Sequence, residues 1–153
     1  PAANITRIPY HRDSTELATT LASADALVHA GTAETFGLVV LEAMACGRPV
    51  VGIRANAVAE LVDEGVGVTA ARAEPGLLAR AVRDLYERDI EALGRAARQR
   101  VETRYSWDCA LRQQLAIYDA LIEKKRTLPA GWATARRLPS GDQAALPAGP
   151  SSS

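Results

Sequence analysis

Three short runs of apolar residues stand out in the first half of the chain. They are "DALVHA" at 25–30, "PVVGI" at 49–53 and "VGVTA" at 66–70. Apolar residues at successive positions are typical of a strand that is buried on both faces. We predict a buried β-strand at each of the three runs, and a shorter β-like run at 4–10, "NITRIPY".

Segments with helical spacing separate these runs. "DSTELATTLAS" begins with Asp13 and Glu16 at capping-box spacing, which predicts the start of a helix. A second helix is predicted from 36 or 37 to 46, because Gly47 is a typical residue just after a helix end. The segment 55–65, "ANAVAELVDEG", predicts a third and shorter helix.

The pattern is helical from Glu74 onward. Pro75 suits the first turn of a helix, and the apolar residues that follow recur on one face. "IEALGRAARQRVETRY" predicts another amphipathic helix, and Ser106 can cap a last one. We predict that four residues of this last helix face inward: Leu111, Leu115, Tyr118 and Ile122.

This alternation of strands and helices predicts an α/β fold, with a Rossmann-like parallel sheet flanked by helices. Parallel sheets of this kind bind ligands at the carboxyl ends of their strands. The run at 25–30 ends where the loop 30–36 begins, and a predicted helix follows directly. We therefore expect the binding site at this loop and at the start of that helix.

Composition narrows the possible functions. Lys plus Arg and Asp plus Glu are equal at 18 each, which argues against a general nucleic-acid or membrane-surface binder. The two cysteines, Cys46 and Cys109, have neither metal-ligand spacing nor a disulfide framework. Residues 127–153 contain four of the eight prolines together with Gly, Ser and Ala, and we predict a disordered tail there.

The stretch "HAGTAETFGLVVLEAMACGRPVV" carries the candidate chemistry. Glu34 and Glu42 have seven residues between them, and Gly37 lies near the predicted helix start. The first N–H groups of a helix have no internal partner and favour an anion such as a diphosphate. The loop lacks the Gly-Lys-Ser/Thr ending of a P-loop, so a diphosphate would be bound without that lysine.

Two interpretations of the glutamates follow from the residues alone. Carboxylates repel phosphate but accept hydrogen bonds from vicinal hydroxyls, so Glu34 and Glu42 could bind the two sugar rings of a nucleotide-sugar. Alternatively, Glu34 only stabilises the helix dipole and Glu42 is a solvated acid on an amphipathic helix. Spacing alone favours the second interpretation.

The stretch "ETFGLVVLEAMACGRPVV" resembles the Glu-x7-Glu signature of retaining glycosyltransferases of family 4, which have the two-domain GT-B fold. The flanking segments "ASADALVHAG", "VAELVDEG" and "YSWDCALRQQLAIYDALI" are also similar to that family. The resemblance runs from about residue 5 to residue 123. It implies transfer of a sugar from a nucleotide-diphosphate sugar to an acceptor, a glycan or a lipid, with retention at the anomeric carbon.

The resemblance also implies roles for particular residues. Glu34 would be the catalytic residue and contact hydroxyls of the donor sugar, and Glu42 would bind the ribose. The backbone amides of Phe36, Gly37, Leu38 and Val39 would bind the diphosphate. His29 ends a predicted strand at this site, so we add it to the donor-binding residues. The resemblance implies no metal and no cofactor, since the nucleotide-sugar is the donor substrate, and it points weakly toward GDP-mannose.

This sequence departs from the family pattern in two ways. Many members have Gly-Gly where Asn56 and Ala57 stand here. Members also have an N-terminal acceptor domain, and an Arg and a Lys that clamp the diphosphate. This sequence shows neither feature. We therefore expect residues 1–126 to be the N-terminally truncated, incomplete C-terminal domain of a GT-B fold, and the isolated chain not to be a competent transferase.

Two alternative functions stay open from the sequence. One is a nucleotide-sugar epimerase, which has a similar fold. The other is a non-catalytic remnant that binds a nucleotide-sugar. For the transferase we expect a cytoplasmic location, with peripheral attachment to the inner face of the membrane through the missing acceptor domain. No nucleic-acid partner is expected.

Overall fold

A computed structural model describes residues 4–127 of the chain. Three parallel strands form the sheet: β1 (Leu27–His29), β2 (Val50–Ile53) and β3 (Gly67–Ala70), in the order β1-β2-β3. Leu27 pairs with Val50, and Val50 pairs with Gly67. The predicted α/β class, the parallel sheet and its three main strands are confirmed.

Six helices flank or follow the sheet within the described residues. They are α1 (Ser14–Ala22), α2 (Leu38–Ala45), α3 (Asn56–Leu61), α4 (Pro75–Tyr86), α5 (Ile90–Arg104) and α6 (Trp107–Arg126). The Asp13 carboxylate accepts the Thr15 amide at 2.7 Å and caps α1. Glu16 does not complete the capping box, because its carboxylate lies 3.2 Å from Nδ1 of His11.

The core lies on the two faces of the sheet, because successive strand residues point to opposite sides. On one face Val50 packs with residues of α2, α3 and α5, including Met44 and Val58. On the other face Val51 packs with Ala81 and Leu85 of α4. All these side chains are buried, so the sheet is covered on both sides, as expected for parallel strands.

Two predictions from the pattern are wrong. Residues 4–10 form no strand; Ile5 and Tyr10 are 68% and 88% exposed, and Pro9 has no N–H to donate to a neighbouring strand. The predicted inward residues of α6 are each more than half exposed: Leu111, Leu115, Tyr118 and Ile122. Helical spacing correctly places these four residues on one face but says nothing about whether another element covers that face.

The described residues divide into two units, the first ending at Arg112 and the second beginning at Gln113. The first unit contains the sheet and helices α1 to α5. In the second, the described residues continue α6 to Arg126 and end at Thr127. The predicted domain boundary after residue 126 stays a prediction, and residues 128–153 of the predicted tail lie outside the described residues. Across residues 4–127, no helix is both long and apolar enough to span a bilayer.

Candidate functional site

The loop that leaves β1 enters α2 through Gly37, which has a left-handed backbone with φ of 72°. Gly37 is also tightly packed, because a β-carbon at this position would lie 2.5 Å from Cδ1 of Leu61. Backbone conformation and space therefore both require glycine here. As predicted, the loop that follows the carboxyl end of the first strand leads into this helix.

Glu34 is the residue that organises this turn. Its Oε1 atom accepts the Gly37 amide at 2.9 Å and the Phe36 amide at 3.3 Å. The hydrogen bond from Gly37 is the main cause that lowers the pKa of the Glu34 carboxyl, against an opposing effect of desolvation. The ionised carboxylate thus occupies two of the four amides that the family resemblance assigns to the diphosphate.

His29 lies beside Glu34, with its Nε2 atom 3.5 Å from Oε2 of the glutamate. The two side chains are 16% and 28% exposed, so both are largely enclosed by the protein. Gly31 makes room for the imidazole, because a β-carbon at Gly31 would lie 2.8 Å from Cε1 of His29. The structure therefore brings together the predicted donor-binding residues His29 and Glu34.

The start of α2 offers further amides. Leu41 donates the first intrahelical bond, to the Gly37 carbonyl at 2.9 Å. The amides of Leu38 and Val39 precede that bond and therefore have no partner within the helix. The N-cap residue of α2 is Gly37, which has no side chain that could cap these amides. These amides and the helix dipole make the end of α2 electropositive.

Glu42 lies on α2 and is exposed. It lines a concavity of about 180 Å³ between α1 and α2, together with Ser14, Leu17, Ala18, Leu21, Ala45 and Cys46. Glu34 lines a different concavity, of about 400 Å³, with Ala33, Thr35, Asn56, Ala57 and Glu60. The structure does not bring the two glutamates into one cavity, so a ligand that touches both has to cross the N-terminus of α2.

The start of α3 also contacts this loop, a feature that sequence reasoning missed. Nδ2 of Asn56 donates to the Thr32 carbonyl at 2.6 Å, and the Ala57 amide donates to the Glu34 carbonyl at 3.4 Å. Asn56 has a positive φ of 46°. Glycine at this position in many family members was the available signal, since left-handed backbone favours Gly and then Asn.

Another concavity, of about 410 Å³, lies away from Glu34 at the edge strand β3. Its arginines already have protein partners: Arg54 donates to Thr69 at 3.2 Å, and Arg88 donates to the Glu64 carbonyl at 3.2 Å. We therefore do not assign it to the donor site. Over the range 4–127 there is no group of three or more His, Cys, Asp or Glu side chains that could bind a metal ion.

Comparison with known proteins finds a matching family and several relatives of this chain. The chain matches the family described as "Glycosyl transferases group 1" over residues 2–88, a range that includes the whole sheet, Glu34 and Glu42. It is 38% identical over 106 residues to a GDP-mannose-dependent α-(1-6)-phosphatidylinositol dimannoside mannosyltransferase of Mycobacterium tuberculosis, covering 69% of this chain and 27% of that protein.

Two solved structures share the fold. Sucrose-phosphate synthase from Thermosynechococcus elongatus is 29% identical, with a TM-score of 0.64 over 71% of this chain and 28% of that chain. The HepE protein of Anabaena in complex with UDP-glucose is 27% identical, with a TM-score of 0.53 over 74% of this chain and 31% of that chain.

The fold and the family match define the class, an α/β domain related to the GT-B glycosyltransferases. The chain belongs to the group 1 glycosyl transferases. It spans about three tenths of the length of the relatives it matches.

Proposed function

We propose that this chain is the donor-binding part of a retaining glycosyltransferase. A nucleotide-diphosphate sugar would bind across the N-terminus of α2, with its diphosphate on the amides of Phe36, Gly37, Leu38 and Val39. Glu34, with His29 beside it, would contact the sugar, and Glu42 would accept hydrogen bonds from the ribose hydroxyls. The proposal includes no metal and no cofactor.

The position of the Glu34 carboxylate carries the proposal. An anionic oxygen of this chain already accepts the Gly37 and Phe36 amides, at 2.9 and 3.3 Å. A phosphate oxygen is chemically similar, since it carries negative charge and accepts hydrogen bonds, so the same amides suit a diphosphate. The concavity of about 400 Å³ next to Glu34 provides room for a ligand.

Donor binding then involves an exchange at these amides. The diphosphate replaces the Glu34 carboxylate, which is released to accept hydrogen bonds from hydroxyls of the donor sugar. During transfer, negative charge develops on the departing diphosphate. Fixed amides at the end of α2 stabilise that charge without reorganisation, which is an electrostatic contribution to catalysis.

The relatives suggest which donors to test. The mycobacterial relative is GDP-mannose-dependent, and the HepE structure contains UDP-glucose. We propose a glycan or a lipid as acceptor, bound by an N-terminal acceptor domain, and a cytoplasmic location at the inner face of the membrane. Transfer with retention is part of the same proposal and rests on the Glu-x7-Glu resemblance.

Calorimetric titration of GDP-mannose and UDP-glucose into the purified chain tests the proposal. We expect one donor to bind, and Glu42→Ala to weaken its binding by about tenfold, since a bond to a charged group is lost. Glu91→Ala is the matched control, because Glu91 is an exposed helical acid that pairs with Arg95 on α5. The proposed site would be refuted if neither donor bound, or if Glu42→Ala and Glu91→Ala bound the donor equally well.

A product assay separates the proposal from its alternatives. Incubation of the chain with the nucleotide-sugar alone would yield an epimerised donor if the chain were an epimerase. The proposed transferase leaves the configuration of that donor unchanged. Donor binding without transfer, even when an acceptor domain of a relative is supplied, would identify a non-catalytic remnant.

A further inference from the structure

Helix α3 contacts the Glu34 loop at three points. Asn56 donates its side-chain amide to the Thr32 carbonyl at 2.6 Å, and Ala57 donates its backbone amide to the Glu34 carbonyl at 3.4 Å. At the end of α3, Leu61 packs closely against Gly37. A β-carbon added to that glycine would lie 2.5 Å from Cδ1 of Leu61. The loop from residue 32 to residue 37 therefore lies along one helix.

The helix that holds the loop is itself fixed in the core. Val58 and Leu61 are buried, and both belong to the cluster that packs on the sheet. Asn56 precedes these residues by only a few positions and is exposed. Its side chain therefore links a rigid element to a loop that is otherwise largely exposed to solvent.

Asparagine at position 56 suits a residue that links α3 to the Glu34 loop. With φ of 46°, position 56 has the left-handed backbone that Gly and Asn adopt most readily. Glycine would satisfy the backbone but could not donate to Thr32. Asparagine satisfies both requirements, and its amide bonds to the loop while Ala55, the N-cap residue of α3, supplies no side-chain cap.

We propose that Asn56 is a positioning residue for Glu34, and that its bond to Thr32 sets the orientation of the donor-sugar contact. The inference rests on the donor site proposed above. Thr32 is only two residues from Glu34, and the Ala57 amide extends the same attachment to the Glu34 backbone. Asn56 acts through the loop and has no contact with the diphosphate in this assignment.

The test uses Asn56→Gly in the full chain. Glycine keeps the positive φ and removes only the side-chain amide. We expect the Kd of the nucleotide-sugar to rise about fivefold, which is about 1 kcal/mol at 1.4 kcal/mol per tenfold. The Kd of the matching nucleoside diphosphate should change less than twofold, because it lacks the sugar that Glu34 contacts.

Two further variants sharpen the result. Asn56→Asp tolerates the same backbone but cannot donate to a carbonyl, so it should weaken nucleotide-sugar binding as the glycine variant does. Asn4→Gly is the matched control, since Asn4 is exposed and far along the chain from the loop. It should leave both affinities unchanged.

A structural readout separates this inference from the proposed function. NMR follows the Gly37 amide shift and the titration of the Glu34 carboxyl, and neither needs a ligand. In Asn56→Gly we expect the Gly37 resonance to move and the Glu34 pKa to rise toward its ordinary value. Unchanged NMR markers, or equal weakening of nucleotide-sugar and nucleoside diphosphate, would overturn the role of Asn56. If Asn56→Gly changed the Gly37 shift and the Glu34 titration but the wild-type chain bound no donor, the proposed function would be refuted. The positioning contact between Asn56 and the Glu34 loop would still be supported.

Discussion

The carboxylate of Glu34 accepts the backbone amide of Gly37 at 2.9 Å, so an acid of the loop occupies the N-terminus of the helix that follows it. The same amide is assigned to the diphosphate of the donor. Glu34 therefore connects the stability of the free protein with the binding of its ligand. The first two predictions concern this connection.

The Glu34–Gly37 contact should make stability depend on pH in the acid range. The pKa of Glu34 is lowered in the folded state, chiefly by the Gly37 amide. Its stabilising contribution is therefore fully present above the unfolded value of about 4.3, and is lost as the pH falls through the lowered folded pKa. Urea unfolding of wild type and Glu34→Gln should differ at pH 7, and the difference should shrink as the pH falls through the lowered folded pKa. If the difference in unfolding free energy between the two proteins stayed constant as the pH fell from 7 into the acid range, the stabilising role of the Glu34 carboxylate would be contradicted.

Glu34→Gln should also separate diphosphate binding from sugar binding. The neutral amide competes less well for the Gly37 and Phe36 amides, so UDP or GDP should bind about threefold more tightly. The nucleotide-sugar should bind no more tightly than to wild type, because its sugar loses the carboxylate. Calorimetry with both ligands measures this ratio. Weaker binding of the nucleoside diphosphate would show that Glu34 does not compete for those amides.

Gly37→Ala should destabilise the protein by about 1–3 kcal/mol. The alanine has to adopt a φ of 72°, and its β-carbon would lie 2.5 Å from Cδ1 of Leu61. Thermal unfolding measures the loss. The double variant Gly37→Ala with Leu61→Ala should relieve only the steric part, so a strictly additive result would rule out the clash with Leu61.

Gly94→Ala should destabilise the packing of α5 against the end of α2. A β-carbon at Gly94 would lie 2.1 Å from the carbonyl oxygen of Gly47, which is backbone and cannot rotate away. We expect a loss of about 3 kcal/mol by chemical denaturation. Gly76→Ala is the matched control. Apart from adjacent residues and the backbone of its own helix, no atom would lie within 4 Å of an added β-carbon, so this substitution should be neutral or stabilising by up to about 1 kcal/mol. Similar effects of both substitutions would disprove the close approach.

Asp63→Asn should weaken the attachment of α5 to the turn after α3. The Asp63 carboxylate lies 2.9 Å from Nη2 of Arg100, and Nη1 of the same arginine donates to the Leu61 carbonyl at 3.2 Å. The Arg100 hydrogen bond is the main cause of the lowered pKa of Asp63. Asp63 is largely exposed, so we expect a loss of at most about 1 kcal/mol at pH 7. Asp84→Asn, whose partner Arg80 is 3.9 Å away, should cost less.

Much of the fold could be predicted from local pattern. The runs at 25–30, 49–53 and 66–70 became β1, β2 and β3, and Gly47 ends α2 in a left-handed conformation with φ of 71°. These features depend on apolar periodicity and backbone preference, which are properties of neighbouring residues. The predicted strand at 4–10 and the predicted inward face of α6 are wrong, because burial depends on whether a distant element covers an apolar segment.

The features of the candidate site also fall into two groups, those that local sequence predicts and those that depend on tertiary contacts. The sequence by itself determined that Glu34 and Gly37 lie where a strand ends and a helix begins, because strand pattern, glycine preference and the Glu-x7-Glu spacing are all local. Only the tertiary structure decided that the Glu34 carboxylate occupies the Gly37 amide and that Asn56 bonds to Thr32. The second contact joins residues 24 positions apart, and it exists because β1 and β2 are adjacent parallel strands whose following segments meet at one edge of the sheet.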